Sequence, residues 1–246
     1  MTSSKFNRRQ LLSAGVVVGS TVALDGAQAR SISGAVPWHP AEANKPPIAQ
    51  PGPRQFLTPA EATFLDAALA RLIPADDLGP GAVEAGVTDF IDLQLAGPYG
   101  KGATWYMEGP WPKGADTQGY QSRLTPAGMY RTTIQAIDAH AVKNFDGKNF
   151  AALAPEQQDA LLLGLDKGDI TLDGADGKAF MTMFWQNTLE GFFADPIYGG
   201  NRDMAGWKLI GFPGARYDYR PYVKKHNVKI DLPPVGLKGG PSWNPT

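Results

Sequence analysis

The helical character of this chain is clearest in residues 58–74, which read TPAEATFLDAALARLIP. Thr58 at the N-cap, Pro59 at the first helical position and Glu61 at the third form a capping box, in which side chains satisfy free N–H groups at a helix start. Apolar residues then recur at helical spacing, and Pro74 ends the run because the residue before a proline resists the α conformation. This stretch predicts an amphipathic helix that opens the folded domain.

Similar signals recur along the rest of the chain. They predict a second helix over 84–96, a third that starts at Thr125-Pro126, and a fourth that opens at Pro155-Glu156. A fifth, the most apolar, covers 180–193, and its wide apolar stripe predicts burial on more than one side. Because no run alternates with the period of a strand, we expect a mainly α fold of about five helices.

Long irregular segments separate and flank these helices. Residues 97–124 are rich in Gly, Pro and aromatic residues, and 195–219 read DPIYGGNRDMAGWKLIGFPGARYDY. We expect the latter segment to be ordered only by close backbone packing against something apolar. Two extended Pro-rich tails, a linker over 30–57 and a C-terminal tail over 221–246, flank a helical domain over 58–220.

The N-terminus has the layout of an export signal. Asn7-Arg8-Arg9-Gln10-Leu11-Leu12 precedes a mildly apolar run from 14 to 24, and Ala27-Gln28-Ala29 follows as a small-x-small cleavage signature. This order predicts a twin-arginine signal over 1–29, read through Arg8 and Arg9 by the twin-arginine translocase and cleaved after Ala29. The alternatives are an ordinary secretory signal or a disordered basic N-terminus. The apolar run is far shorter than the roughly 20 residues of a spanning helix.

Composition excludes several classes of function. The chain has no cysteine, so it forms no disulfide and has no thiolate ligand for an iron–sulfur cluster and no covalent c-type haem. The net charge is −1, and it becomes −3 once the three basic residues and one acidic residue of the leader are removed. Such a balance argues against a nucleic-acid partner, which would require a basic patch.

Standard catalytic motifs are missing from the sequence. It contains no G-x-G-x-x-G or P-loop phosphate site and no G-x-S-x-G nucleophile. Five carboxylates cluster around the second helix and could do acid–base work, although helix-end charges and a solvated face explain them more simply: Asp76, Asp77, Glu84, Asp89 and Asp92. Trp105, Tyr106 and Trp111 could stack on sugars, but packing or a protein interface is the simpler interpretation.

Several stretches resemble a known family, the small subunit (subunit 3) of gluconate 2-dehydrogenases. The resemblance covers residues 58–220 and includes Leu72-Ile73-Pro74-Ala75-Asp76 and Glu84-Ala85-Gly86-Val87. Its most specific matches are EGFFADPIYGGN at 190–201 and GWKLIGFPGA at 206–215. The twin-arginine signal also fits the pattern of this family.

The resemblance implies a subunit of a larger enzyme. Members of the family belong to periplasmic, membrane-associated dehydrogenases of gluconate, fructose, glucose or related polyols. The FAD-containing large subunit abstracts hydride, a multi-haem cytochrome c passes the electrons on, and the small subunit helps the large one mature and reach the export channel. This chain would then hold no cofactor or catalytic residue and would reside in the periplasm, associated with the inner membrane through its partners.

We expect the segment 190–215, with parts of 97–124, to contact the large subunit. The candidate interface residues are all aromatic: Phe192, Phe193, Tyr198, Trp207 and Phe212. Two alternatives remain open. One is a stand-alone periplasmic enzyme that uses the carboxylates from Asp76 to Asp92, and the other is a carbohydrate-binding module built on Trp105, Tyr106 and Trp111.

Overall fold

A computed structural model describes residues 52–237 of the chain, except for positions 113, 116 and 217. The predicted export-signal residues Arg8 and Arg9, the cleavage residue Ala29, and most of the Pro-rich linker lie outside the described residues. The last nine residues of the C-terminal tail also lie outside them.

The described residues form a mainly α fold, as the sequence predicts. They contain no strand, and their six α-helices are α1 (Pro59–Leu72), α2 (Val87–Ala96), α3 (Pro126–Asn144), α4 (Pro155–Lys167), α5 (Gly177–Phe193) and α6 (Ala205–Ile210). Short 3-10 turns lie at Phe150–Ala152, Pro196–Tyr198, Arg202–Met204 and Arg220–Tyr222.

The start of α1 is the predicted capping box. The Thr58 hydroxyl accepts the Glu61 N–H at 3.3 Å, and the Glu61 carboxylate accepts the Thr58 N–H at 2.8 Å. Arg131 of α3 donates to the other Glu61 oxygen at 3.0 Å and so joins two helices. Burial alone would raise the pKa of Glu61, but the Thr58 N–H and the Arg131 guanidinium together outweigh it and lower that pKa.

Helix α2 begins three residues later than predicted. Gly86 adopts a left-handed conformation with φ of 78° and serves as the N-cap, which keeps the preceding residues out of the helix. These residues fold back on the end of α1, where the Ala82 N–H donates to the Ile73 carbonyl at 2.9 Å. Glu84 accepts the Gly81 N–H at 3.1 Å inside this turn.

Helix α5 lies at the centre of the domain and contacts each of the other five helices. Tyr130 of α3 packs edge-on against Phe180 and Phe184, with ring centroids 5.3 and 6.2 Å away. The three rings are fully buried, in agreement with the wide apolar stripe predicted for this helix. Trp185 lies within the apolar run 180–193 but is 44% exposed, because it follows Phe184 by one residue and therefore points about 100° away around the helix.

A buried carboxylate attaches the residues before α1 to the domain. Asp92 of α2 accepts backbone N–H groups from Gln55 at 2.7 Å, Phe56 at 3.0 Å and Leu57 at 2.7 Å. Arg131 adds a bond to the Phe56 carbonyl at 3.1 Å and lies over its ring. The end of the predicted linker is therefore bound to the helical domain from residue 55 onward.

Candidate partner interface

The residues that follow α5 fold tightly onto the last turn of that helix, and we call this last turn together with those residues, 190–215, the glycine-aromatic segment. A Cβ atom on Gly200 would lie 2.2 Å from the Gly191 carbonyl oxygen, and one on Gly206 would lie 2.2 Å from the Phe192 carbonyl oxygen. Only glycine permits such an approach of two backbones. The close packing expected from the sequence therefore takes place within the chain itself.

Asn201 fixes the sharp bend of this segment. It is fully buried, its side chain donates to the Ala194 carbonyl at 2.7 Å, and its amide oxygen accepts the Gly206 N–H at 2.9 Å. Asn201, Asp203 and Met204 all have positive φ angles, of 46°, 54° and 55°. Such angles are tolerated by Asn and Asp but costly for Met, so the surrounding contacts must hold this bend in place.

Asp195 connects the segment to the C-terminal tail. One carboxylate oxygen accepts the Ile197 N–H at 3.0 Å, and the other accepts the Leu237 N–H at 2.7 Å. Nearby, Gly214 pairs with Val235, and the Ala215 N–H donates to the Val235 carbonyl at 2.6 Å. The part of the tail that is described therefore lies along the glycine-aromatic segment.

The five predicted interface residues occupy two different environments. Phe192 and Trp207 are only 1% and 5% exposed, and the Trp207 indole N–H donates to the Phe193 carbonyl at 2.7 Å. Phe193 is half-buried, whereas Tyr198 is 52% exposed and Phe212 is 42% exposed. Within this chain, Phe192 and Trp207 are therefore core residues that support the surface, while Tyr198 and Phe212 form part of it.

Sequence reasoning missed three further exposed apolar side chains of the segment. Ile197, Leu209 and Ile210 are exposed beside Tyr198 and Phe212 in sequence. For Leu209 and Ile210 the missed signal is α6, because a six-residue helix is too short to show a period, and Ile197 lies in the 3-10 turn Pro196–Tyr198. Exposed apolar side chains concentrated on one rigid segment are typical of a protein interface.

A shallow groove lies next to Tyr198. It has a volume of about 450 Å³ and lies between α2 and the end of α5, with Phe90, Gln94, Glu190 and Phe193 on its walls. Leu93 flanks this region, since a Cβ atom on Gly199 would lie 2.9 Å from its side chain. The groove offers apolar walls and the two polar groups of Gln94 and Glu190.

Four of the five carboxylates considered for acid–base chemistry have structural partners in the fold, and the fifth, Asp77, is exposed. Asp92 binds three backbone N–H groups, Asp89 pairs with Arg202, and Asp76 accepts the Leu78 N–H at 2.8 Å in a turn. Among the described residues, no group of three His, Cys, Asp or Glu side chains is arranged to hold a metal ion. These contacts stabilise the fold.

The aromatic residues considered for sugar stacking do not form one continuous stack in the described part of the chain. Trp105 packs against Tyr99 and Tyr120, with ring centroids 5.8 and 4.8 Å away. Tyr106 is highly exposed, and Trp111 lies beside Gly109. No ring contact in the described part of the chain joins Trp105 to Tyr106 or Trp111.

Comparison with known protein families identifies the family to which this chain belongs. The profile of the family described as gluconate 2-dehydrogenase subunit 3 matches residues 59–214, which is well over half of the chain. The chain belongs to the gluconate 2-dehydrogenase subunit 3 family. No curated protein and no solved structure gave a significant match.

Membership of the subunit 3 family makes this chain a small subunit of a gluconate 2-dehydrogenase-type complex. The match begins at the first residue of α1 and ends at Gly214, so it contains all six helices and nearly all of the glycine-aromatic segment. Partnership with other subunits of such a complex is inherent in this membership. None of the helices within 52–237 is long and apolar enough to cross a membrane.

Proposed function

We propose that this chain is a non-catalytic small subunit that matures, stabilises and escorts the FAD-containing large subunit of a periplasmic sugar or polyol dehydrogenase. The observation that carries this proposal is the glycine-aromatic segment, a rigid bend that exposes apolar side chains inside the region matched by the family. A monomer gains nothing from fixing such side chains in solvent, whereas a permanent complex buries them.

The residues of the segment have different roles in this proposal. Tyr198 and Phe212 contact the large subunit directly, together with the exposed Ile197, Leu209 and Ile210. Phe192, Phe193 and Trp207 hold the segment in shape from below. A permanent interface of this kind buries on the order of 2,000 Å² or more in total, so parts of 97–124 contribute as well.

The remaining chemistry belongs to the partners. FAD on the large subunit takes the hydride, and c-type haem on a multi-haem cytochrome c subunit takes the electrons. The small subunit contributes the twin-arginine signal with Arg8 and Arg9, cleaved after Ala29, and brings the folded flavoprotein to the twin-arginine translocase. The complex then resides in the periplasm, associated with the inner membrane through its partner subunits.

The interface is tested by replacing two exposed rings of the segment. We expect Tyr198→Ser with Phe212→Ser to leave this subunit folded, because both side chains are about half exposed, yet to abolish recovery of the flavoprotein with tagged small subunit. Recovery is measured from the native host by flavin absorbance and dye-linked dehydrogenase activity. The control is Val142→Ser, which removes an apolar side chain of similar exposure from α3. Equal recovery with the double variant and the control would remove the segment from the interface.

The escort role is tested separately at the leader. Replacing Arg8 and Arg9 by Lys should hold both subunits in the cytoplasm, because the large subunit travels with this chain. Location is measured by fractionation and immunoblotting of each subunit. Export of the large subunit in the presence of the Lys variant would contradict the escort role while leaving the interface intact.

A further inference from the structure

A pocket of about 660 Å³ opens between the irregular segment 97–124 and α5. Its volume falls within the range of ligand-binding clefts. Three aromatic side chains, Tyr99, Trp105 and Tyr120, form one side, and three polar side chains, Asp176, Thr182 and Gln186, lie on α5 or at its start. We call it the Trp105 pocket.

The hydroxyl protons of the two tyrosines on the aromatic side are used in hydrogen bonds within the chain. Tyr99 donates to the Asn187 amide oxygen at 3.2 Å, and Tyr120 donates to the Leu124 carbonyl at 2.6 Å. Burial raises the pKa of both phenols, so they remain protonated at neutral pH and keep these bonds. Toward the pocket they offer ring surface and oxygen lone pairs.

The polar side presents mainly hydrogen-bond acceptors to the pocket, because donors of Thr182 and Gln186 are also used within the chain. Thr182 donates its proton to the Lys178 carbonyl at 3.1 Å, and Gln186 donates from its amide nitrogen to Glu190 at 2.9 Å, which fixes the amide orientation. One oxygen of Asp176 caps α5 by accepting the Ala179 N–H at 2.9 Å, and its second oxygen accepts no bond within the described residues. The acceptors left unused are therefore the Gln186 amide oxygen and one oxygen of Asp176, and the second amide N–H of Gln186 remains as a donor.

The charge of the pocket walls further limits the class of ligand that fits. Asp176 is the charged residue among those described in the lining, and Glu190 lies one helical turn beyond Gln186. Lys178 is not among the lining residues of this pocket; it extends toward Gly168, and together with Arg123 it lines a neighbouring pocket that also contains Asp176. A ligand that carries several N–H donors and a positive charge and stacks on aromatic rings suits such walls. The N-terminus of α5 offsets part of the charge of Asp176, so binding of an isolated group is weak.

We propose that the Trp105 pocket receives a guanidinium group, presented as an arginine side chain of the partner large subunit. A guanidinium has five N–H donors and no acceptor, and it stacks on aromatic faces while it binds carboxylate and amide oxygens. A neutral polyol also donates hydrogen bonds to a carboxylate, but it lacks the positive charge that adds an ionic attraction to Asp176. The chemistry of the pocket stands on its own, whereas the source of the arginine rests on the proposed function.

The first experiment uses the purified full chain and small probes. Nα-acetyl-arginine amide is titrated against the indole N–H resonance of Trp105, which Trp105→Phe assigns, and Nα-acetyl-citrulline amide serves as the neutral isostere. We expect a saturable shift with the arginine probe and about fivefold weaker binding of citrulline, the loss that follows from removing one exposed cation–π contact. Equal binding of the two probes, or a response to glucose and none to arginine, would overturn the proposal.

Two charge-matched variants locate the effect. Asp176→Asn keeps an oxygen for the Ala179 N–H and removes the charge from the pocket, so the arginine shift should weaken severalfold. Asp173→Asn removes the same charge from an exposed residue outside the pocket and should leave the titration unchanged. The same response in both variants would mean a general charge effect and contradict the assignment.

The partner is tested in the complex recovered from the native host. Asp176→Asn should raise the rate at which the large subunit dissociates from tagged small subunit, and Asp173→Asn should not. If the probe binds but dissociation is unchanged, the arginine does not come from this partner. If the wild-type chain recovers no large subunit at all, the proposed function fails. The probe titration then still shows whether the pocket binds a guanidinium group.

Discussion

Removal of the Asp92 carboxylate should loosen the start of the domain more than any exposed acidic substitution. Its two oxygens accept three backbone N–H groups, and the side chain is only 2% exposed. Asp92→Ala leaves these donors without their acceptor. Water reaches the Gln55 and Phe56 N–H groups, which are partly exposed, but not the buried Leu57 N–H.

The size of the effect follows from these environments. Leaving the buried Leu57 N–H without an acceptor costs roughly 1–3 kcal/mol, and the loss of the bonds from Gln55 and Phe56 adds to it, so Asp92→Ala should remove a large share of the roughly 5–15 kcal/mol that stabilises a domain. Asp92→Asn keeps one oxygen for Phe56 and Leu57 but turns its amide N–H₂ toward the Gln55 N–H. We therefore expect the free energy of unfolding to fall by roughly 1.5–3 kcal/mol in that variant, the value of one hydrogen bond to a charged group.

Urea unfolding followed by far-UV circular dichroism measures both variants. Asp231→Ala is the control, because Asp231 is exposed in the C-terminal tail. Its free energy of unfolding should stay within about 0.5 kcal/mol of the wild-type value. The expected order of stability is wild type and control, then Asn, then Ala. An Ala variant as stable as the control would refute the reasoning that this carboxylate holds residues 55–57 in solution.

Three further outcomes are expected. Gly206→Ala should lower the free energy of unfolding in the urea assay by more than about 2 kcal/mol, because the added Cβ would lie 2.2 Å from the Phe192 carbonyl oxygen. Its control is Gly52→Ala, which should be neutral because a Cβ atom there would have nothing within 4 Å. Because the pKa of Glu61 is lowered in the fold, its contribution is complete above its ordinary value of 4.5 and is lost as the pH falls through the lower folded value. Acid unfolding of Glu61→Gln should accordingly show a shallower loss of stability in that range, and an unchanged profile would contradict the assignment. Trp207→Phe should lose about 1 kcal/mol in thermal unfolding, since the ring stays buried while its bond to the Phe193 carbonyl is removed; a loss above 3 kcal/mol would mean that ring volume matters more than the hydrogen bond.

The sequence predicts helices best where the signal is local. Thr58, Pro59 and Glu61 act within one turn, so the start of α1 could be placed to the residue. The start of α2 was misplaced because Gly86 adopts its left-handed conformation only in a loop held by Ile73, and α6 was missed because left-handed residues, Met204 and Gly211, bound it on both sides. These constraints arise from contacts far along the chain.

The candidate interface shows the same division. The composition of 190–215 indicates that its glycines allow close packing, but not which aromatic ring faces inward. Phe192 and Trp207 are buried because Gly206 brings α6 against the end of α5, while Tyr198 and Phe212 remain outside. The sequence predicts that Asp92 is a carboxylate on a helix. Only the fold shows that three backbone N–H groups donate hydrogen bonds to it.

The bond between Asp195 and the Leu237 N–H closes a loop that spans 42 residues. Closing such a loop costs entropy that grows with the logarithm of its length, about 3 kcal/mol here, and the Gly214–Val235 pairing shares that single cost. The two contacts therefore form and break together, so the amides of Ala215 and Leu237 should exchange with solvent as one cooperative unit below global unfolding. The far end of the chain thus sets how long the exposed side chains of the glycine-aromatic segment keep the arrangement in which a partner would meet them.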